Sequence, residues 1–147
     1  MTPEARFRAY IQTFNASDWD ALRDYYAPDV RLVIGNGTQL IGRDAILAFY
    51  NKVKRQTRRT VEILQCFADG NTLAAEIESE FLAIEDAPNF ASRPLAKGDR
   101  FYLNSFVFYD FDGAQYTRIR AATFRREFRP AAPDPAGSRG AEDSSTI

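Results

Sequence analysis

Histidine is absent from this 147-residue sequence, and cysteine, methionine and tryptophan occur once each. The missing imidazole removes the commonest metal ligand and the commonest general base together. A single cysteine, Cys66, excludes an internal disulfide and any multi-cysteine metal centre. It reads as a small strand residue, since no thiolate-stabilising group stands near it in sequence. No metal and no cofactor are expected, and chemistry is left to carboxylate, tyrosine, lysine or water. Long apolar runs are lacking too, and the N-terminus MTPEARFRAY carries no apolar signal core. Cytoplasmic residence is the default expectation, with no membrane partner. Nor is there a strong charge of one sign: 19 Lys and Arg against 20 Asp and Glu leave a formal charge of −1. No net field draws nucleic acid, and no binding module accompanies the locally dense Lys52, Lys54, Arg55, Arg58 and Arg59, which read as a solvated helix end.

Aromatic residues are plentiful: twelve Phe and seven Tyr in a chain that is 45% apolar. That is enough to bury one core, and each buried Tyr hydroxyl must find a partner. The length suits one domain. Phe7, Tyr10, Ile11 and Phe14 have helical spacing after Thr2-Pro3-Glu4, a cap followed by proline at the first helical position. Ser17 or Asp18 caps a second helix carrying Trp19, Leu22, Tyr25 and Tyr26, which Pro28 ends. Val30 to Ile34 is a short β-branched strand, and Asp44 caps a third helix with Ile46, Leu47, Phe49, Tyr50 and Val53 on its apolar face.

The rest is strand. Thr60–Ala68 and Thr72–Ile84 are joined by Asp69-Gly70-Asn71; Arg100–Phe111 and Gln115–Phe128 are joined by Asp112-Gly113-Ala114. Three helices with a short strand, then a long antiparallel meander, define an α+β domain over residues 1–129. Residues 130–147 (PAAPDPAGSRGAEDSSTI) have the composition of a disordered tail.

Alternation along Leu73–Ala83 puts Ile77, Ser79 and Phe81 on the apolar, pocket-facing side and Glu76, Glu78 and Glu80 on an exposed face. Arg118 and Arg120 would pair with those glutamates. On the last strand, Ala121 and Thr123 would shape the pocket wall, while Asp110 and Asp112 read as turn residues.

The stretch FNASDWDALRDYYAPDV, the later GRDAI with a helix containing Phe49-Tyr50, and the pair LNSFVFYDFDG and YTRIRAATF resemble nuclear transport factor 2-like domains over about Ala5 to Phe128. Within that superfamily the chain is similar to ketosteroid isomerases, with SnoaL-like polyketide cyclases beside them. The resemblance implies a cystatin-like α+β barrel roll, in which a cone-shaped curved antiparallel sheet wraps three N-terminal helices around an apolar pocket. It also implies homodimers. Tyr10 matches the oxyanion-hole tyrosine, Tyr26 and Tyr50 match supporting tyrosines, and Asn104 stands where the family keeps a protonated acid. An asparagine amide can still donate a hydrogen bond there. Trp19, Val33, Phe49, Tyr102 and Phe106 are further candidates to line the pocket.

The catalytic aspartate of that family falls on Val33 or Ile34, neither of which accepts a proton. Asp29 and Asp44 have structural roles, so a base could only come from the connection that holds Asp99. The resulting expectation is a protein that binds, isomerises or cyclises a small hydrophobic carbonyl compound through Tyr10 and Asn104. The alternative is a non-catalytic ligand-binding or dimeric assembly domain.

Overall fold

The computed structural model describes residues 1–90, 93–131 and 144–146. It is an α+β arrangement in which a curved, unclosed sheet packs one face against N-terminal helices. α1 (Pro3–Asn15) begins as its sequence dictates: Thr2 Oγ1 accepts a hydrogen bond from the Ala5 N–H at 3.1 Å. Its one apolar face, Phe7, Tyr10, Ile11 and Phe14, is wholly buried. α2 (Trp19–Arg23) is capped by the Asp18 side chain. It stops sooner than the aromatic spacing predicts.

Tyr26 instead opens strand β1 (Tyr26–Ile34), because the last long strand pulls this segment into the sheet: the Tyr116 N–H donates to the Tyr25 carbonyl at 2.8 Å. Pro28 is tolerated inside β1 because it falls in the register break between Tyr26 and Arg31, where no ladder donor is required. A three-residue strand β2 (Gln39–Ile41), too short and polar to be visible in the sequence, pairs with β1. α3 (Arg43–Gln56) is capped by Gly42 at φ 92°, and not by Asp44, whose carboxylate pairs with Arg23.

The meander follows as β3 (Thr57–Asp69), β4 (Thr72–Ala83), β5 (Arg100–Asp112) and β6 (Gln115–Arg129). Six strands lie in the order β2-β1-β6-β5-β4-β3, and β7 (Ser144–Thr146) pairs with β6. One pairing departs from the expected antiparallel pattern: β1 runs parallel to β6, since the chain crosses α3 and the whole meander before returning to it. Register shifts at Ile63/Gln65, Asn104/Ser105 and Asp110/Phe111 add residues to single strands and bend the sheet. Of the expected disordered tail, residues 132–143 and 147 lie outside the described residues, and 144–146 form β7.

Bending separates a helix-facing inner surface from an outer one. The β4–β5 register sets Leu73, Ala75, Ile77, Ser79 and Phe81 opposite Tyr109, Val107, Ser105, Leu103 and Phe101 on the inner side. Most of these are buried against α1 and α3, and a second apolar cluster around Phe81, Ala83, Ala87, Leu95 and Phe101 closes one end. The outer surface holds Glu76, Glu78 and Glu80 opposite Phe106, Asn104 and Tyr102. Arg118 and Arg120 do not reach those glutamates. Both turn to Asp110, at 2.7 and 3.9 Å, so Asp110 is a cross-strand partner on this face and not merely a turn residue.

Candidate functional site

Three elements each bring a tyrosine hydroxyl to the same point inside the domain. Tyr10 comes from α1, Tyr26 from the start of β1 and Tyr109 from the inner face of β5. The Tyr10 and Tyr26 hydroxyls share a hydrogen bond of 2.6 Å, and those of Tyr10 and Tyr109 lie 3.4 Å apart. Rings pack edge-on around them, with Phe7 5.0 Å from Tyr109 and Tyr116 4.9 Å from it. The Tyr116 hydroxyl is enclosed and lacks a hydrogen-bond partner. Tyr116 also lines an open recess of about 180 Å³ with Met1, Pro3, Arg6, Leu73, Phe111 and Gly113.

Burial pushes the Tyr10, Tyr26, Tyr109 and Tyr116 hydroxyls above the usual tyrosine value. Tyr50 is raised by burial as well, against the opposing pull of the Arg59 charge. All five are thus neutral hydroxyls near neutral pH, able to donate or accept. Tyr50 packs edge-on to Phe14 at 5.0 Å, and no hydrogen bond joins it to Tyr10.

Arg59 is where the structure departs furthest from the solvated helix end expected of it. It stands near the start of β3 in register with Phe81, on the inner face. Its guanidinium carbon lies 4.9 Å from the Phe81 ring centre and 5.2 Å from that of Phe14, and a terminal nitrogen donates to Ser79 Oγ at 3.0 Å.

The other sequence-derived candidates divide by face. Ile77, Ser79, Phe81, Ala121 and Thr123 project inward, and Trp19 and Phe49 pack partly buried against the core. Asn104 does not meet Tyr10. It lies on the outer face, where its amide donates to Glu76 at 2.9 Å and Glu78 at 3.2 Å. Tyr102 and Phe106 share that face: the Tyr102 hydroxyl donates to Glu80, and Phe106 is 47% exposed. Asn104 rests on the family resemblance, and the strand itself offers no check on it. Both faces of β5 are aromatic, so alternation of polarity does not say which set is inside, whereas Tyr109 and Val107 follow the buried register of β4. Val33 also points outward, alternating with buried Leu32 and core-packed Ile34.

Asp99 is no free base. Its carboxylate accepts from the Ala96 and Ala131 N–H groups, each at 2.9 Å, and so fastens the connection between β4 and β5. Among the described residues no carboxylate projects from the inner face of β3–β6. The described residues also hold no cluster of three metal-ligating side chains, and none of their helices is long and apolar enough to cross a membrane.

The geometry has counterparts. Residues 7–119, from the first buried Phe to the inward Ile of β6, match the SnoaL-like domain. The chain belongs to that family. Among solved structures it is similar to a protein named as a polyketide cyclase from Xanthomonas campestris pv. campestris, with 26% identity and a TM-score of 0.70 over 81% of this chain and 87% of that one. A second protein so named, from Pseudomonas putida KT2440, is 27% identical with a TM-score of 0.70, over 82% of this chain and 90% of the other. One named as a ketosteroid isomerase, from Kribbella flavida DSM 17836, is 19% identical with a TM-score of 0.63, over 97% and 93%, and shares the fold. No curated protein matches the chain. SnoaL-like membership agrees with the resemblance drawn from LNSFVFYDFDG and its companions.

Proposed function

We propose that this SnoaL-like domain holds a small hydrophobic carbonyl compound against its interior tyrosines, for binding or for isomerase- or cyclase-type chemistry. The observation that carries the reading is the run of three hydroxyls from Tyr26 through Tyr10 to Tyr109, enclosed by apolar side chains. Three hydroxyls linked in a row have one proton more than their mutual bonds consume. That proton can be donated to a ligand oxygen, and a chain of donors stabilises charge developing there. Tyr109 takes the place in this reading that Asn104 had in the sequence. With Val33 outside and Asp99 engaged, the proton acceptor for an enolisation comes from the ligand or from water.

Fluorescence titration with naphthol and with acetylnaphthalene tests the site. Tyr10→Phe should weaken both by about tenfold, the worth of one hydrogen bond in an enclosed site. Asn104→Leu should leave both affinities unchanged. Absence of binding by the folded wild type, or equal binding by Tyr10→Phe, contradicts the reading.

A second reading, in which the outer face joins two copies, is favoured by one observation. Phe106 and Phe124 lie 5.1 Å apart, and together with Phe67 and Phe108 they are 46–56% exposed on the outer side of the sheet. Contiguous exposed aromatics of this kind mark interaction surfaces. Glu76, Glu78 and Glu80 stand on β4, while Arg118 and Arg120 stand on β6. In the strand register Glu76 and Glu78 lie level with Ala122 and Arg125 of β6, and Arg118 and Arg120 level with Thr72 and Ala74 of β4, so the charged rows are offset and the aromatic patch alone carries this reading. Sedimentation equilibrium should give a dimer for the wild type and a monomer for Phe106→Glu. A wild type that stays monomeric at high concentration removes this reading.

A further inference from the structure

Arg59 presents a problem that the tyrosine cluster does not solve. The side chain leaves the inner face of β3 and lies among the rings of Phe14, Tyr50 and Phe81, with centroid distances of 5.2, 6.0 and 4.9 Å. Ser79 Oγ takes one terminal nitrogen. The Nε–H is enclosed and has no acceptor. No carboxylate lies within 4.0 Å of this guanidinium among the described residues. Desolvation by burial lowers its pKa.

A second cation stands on the same ring. Lys54 Nζ lies 5.0 Å from the centre of Phe14, donating to the Phe14 carbonyl and to Ser17 Oγ, each at 2.8 Å. It too has no carboxylate partner, and burial and the Arg59 charge both lower its pKa. Two like charges are thus held together, one of them enclosed, with an N–H left over. Aromatic faces attract a cation but offer nothing in the plane of the guanidinium. An acceptor in that plane is what Arg recognises bidentately, and a carboxylate fits it.

We propose that the ligand of this domain carries a carboxylate, bound by Arg59 and attracted by Lys54, while its apolar body lies toward the tyrosine hydroxyls. This rests on the carbonyl-binding reading for the second half of the ligand only. Ser79 and the three rings orient the guanidinium, and the carboxylate completes it. The ligand class is an apolar keto acid.

Three probes separate this from the tyrosine reading: naphthoate, neutral acetylnaphthalene and inorganic phosphate. The wild type should bind naphthoate at least tenfold more tightly than acetylnaphthalene. Arg59→Met should abolish that preference while keeping acetylnaphthalene, Arg59→Lys should restore part of it, and Lys54→Met should weaken naphthoate at low salt only. Phosphate should fail to displace naphthoate. The proposal is overturned if naphthoate gains nothing over the ketone, if Arg59→Met keeps the preference, or if phosphate competes equally. Ketone binding without naphthoate preference overturns it and leaves the tyrosine site standing; naphthoate binding without ketone binding does the reverse. Should Arg59→Met fail to fold, the wild-type preference and the Lys54→Met salt response decide.

Discussion

Raising the pH above 10 should unfold this protein in one cooperative step. A tyrosine in an unfolded chain ionises near pH 10. Burial raises the hydroxyls of Tyr10, Tyr26, Tyr50, Tyr109 and Tyr116 above that value in the folded protein. A group whose folded pKa is raised gives its full contribution below the unfolded pKa and loses it as pH rises toward the folded one. Between those limits the native state retains protons that the unfolded state has released, so stability falls with pH. Each tyrosine contributes a slope of about 1.4 kcal/mol per pH unit, and five acting together about 7. Lys54 and Arg59 act in the opposite sense, because their folded pKa values are lowered, but they are two groups against five. Against a typical domain stability of about 5–15 kcal/mol, the transition should fall one to two pH units above 10. Far-ultraviolet ellipticity and tyrosinate absorbance, followed together, should change at the same pH. Gradual tyrosinate formation with ellipticity intact would show that the five hydroxyls are reachable by water.

Phe7→Ala should cost about 3–5 kcal/mol, the range for deleting an enclosed aromatic ring. Phe7 is 0% exposed and lies 5.0 Å from Tyr109 and 5.9 Å from Tyr10, so its removal hollows the wall that aligns the hydroxyls. Urea unfolding should show the midpoint fall with little change in slope. Phe106→Ala is the matched comparison. On the 47% exposed outer side it should cost under about 1 kcal/mol in the monomer. Similar costs for the two would refute the assignment of faces.

Helix α1 was readable because one stripe of four apolar residues follows an explicit cap, and both hairpins because Gly stands where each chain reversal needs a positive φ, 59° at Gly70 and at Gly113. Strand β4 was readable because only one of its faces is apolar: every odd position is buried from Leu73 to Ala83. The site was half readable for the same reason turned round. Tyr10, Tyr26 and Asn104 all rest on the family resemblance; β5 is aromatic on both sides, so nothing local could show that Tyr109 faces inward and Asn104, Tyr102 and Phe106 do not until the strand's partner is known. Arg59 was obscured by its neighbours. In a run of basic residues nothing local distinguishes the one that β-pairing with Phe81 turns inward.

The parallel pairing of β1 with β6 also governs how the chain reaches this state. Arg31 meets Arg118 and Ile34 meets Ala121, contacts between the first quarter of the sequence and its last third. Ribosomal synthesis delivers β1 long before its neighbour exists, and loop closure over such a span is slow. The nascent chain therefore carries an unpaired β1 edge, held by β2 alone, until β6 emerges. Tyr26 gains its neighbour Tyr116 only at that closure, so this wall of the site should be completed after β6 has been made.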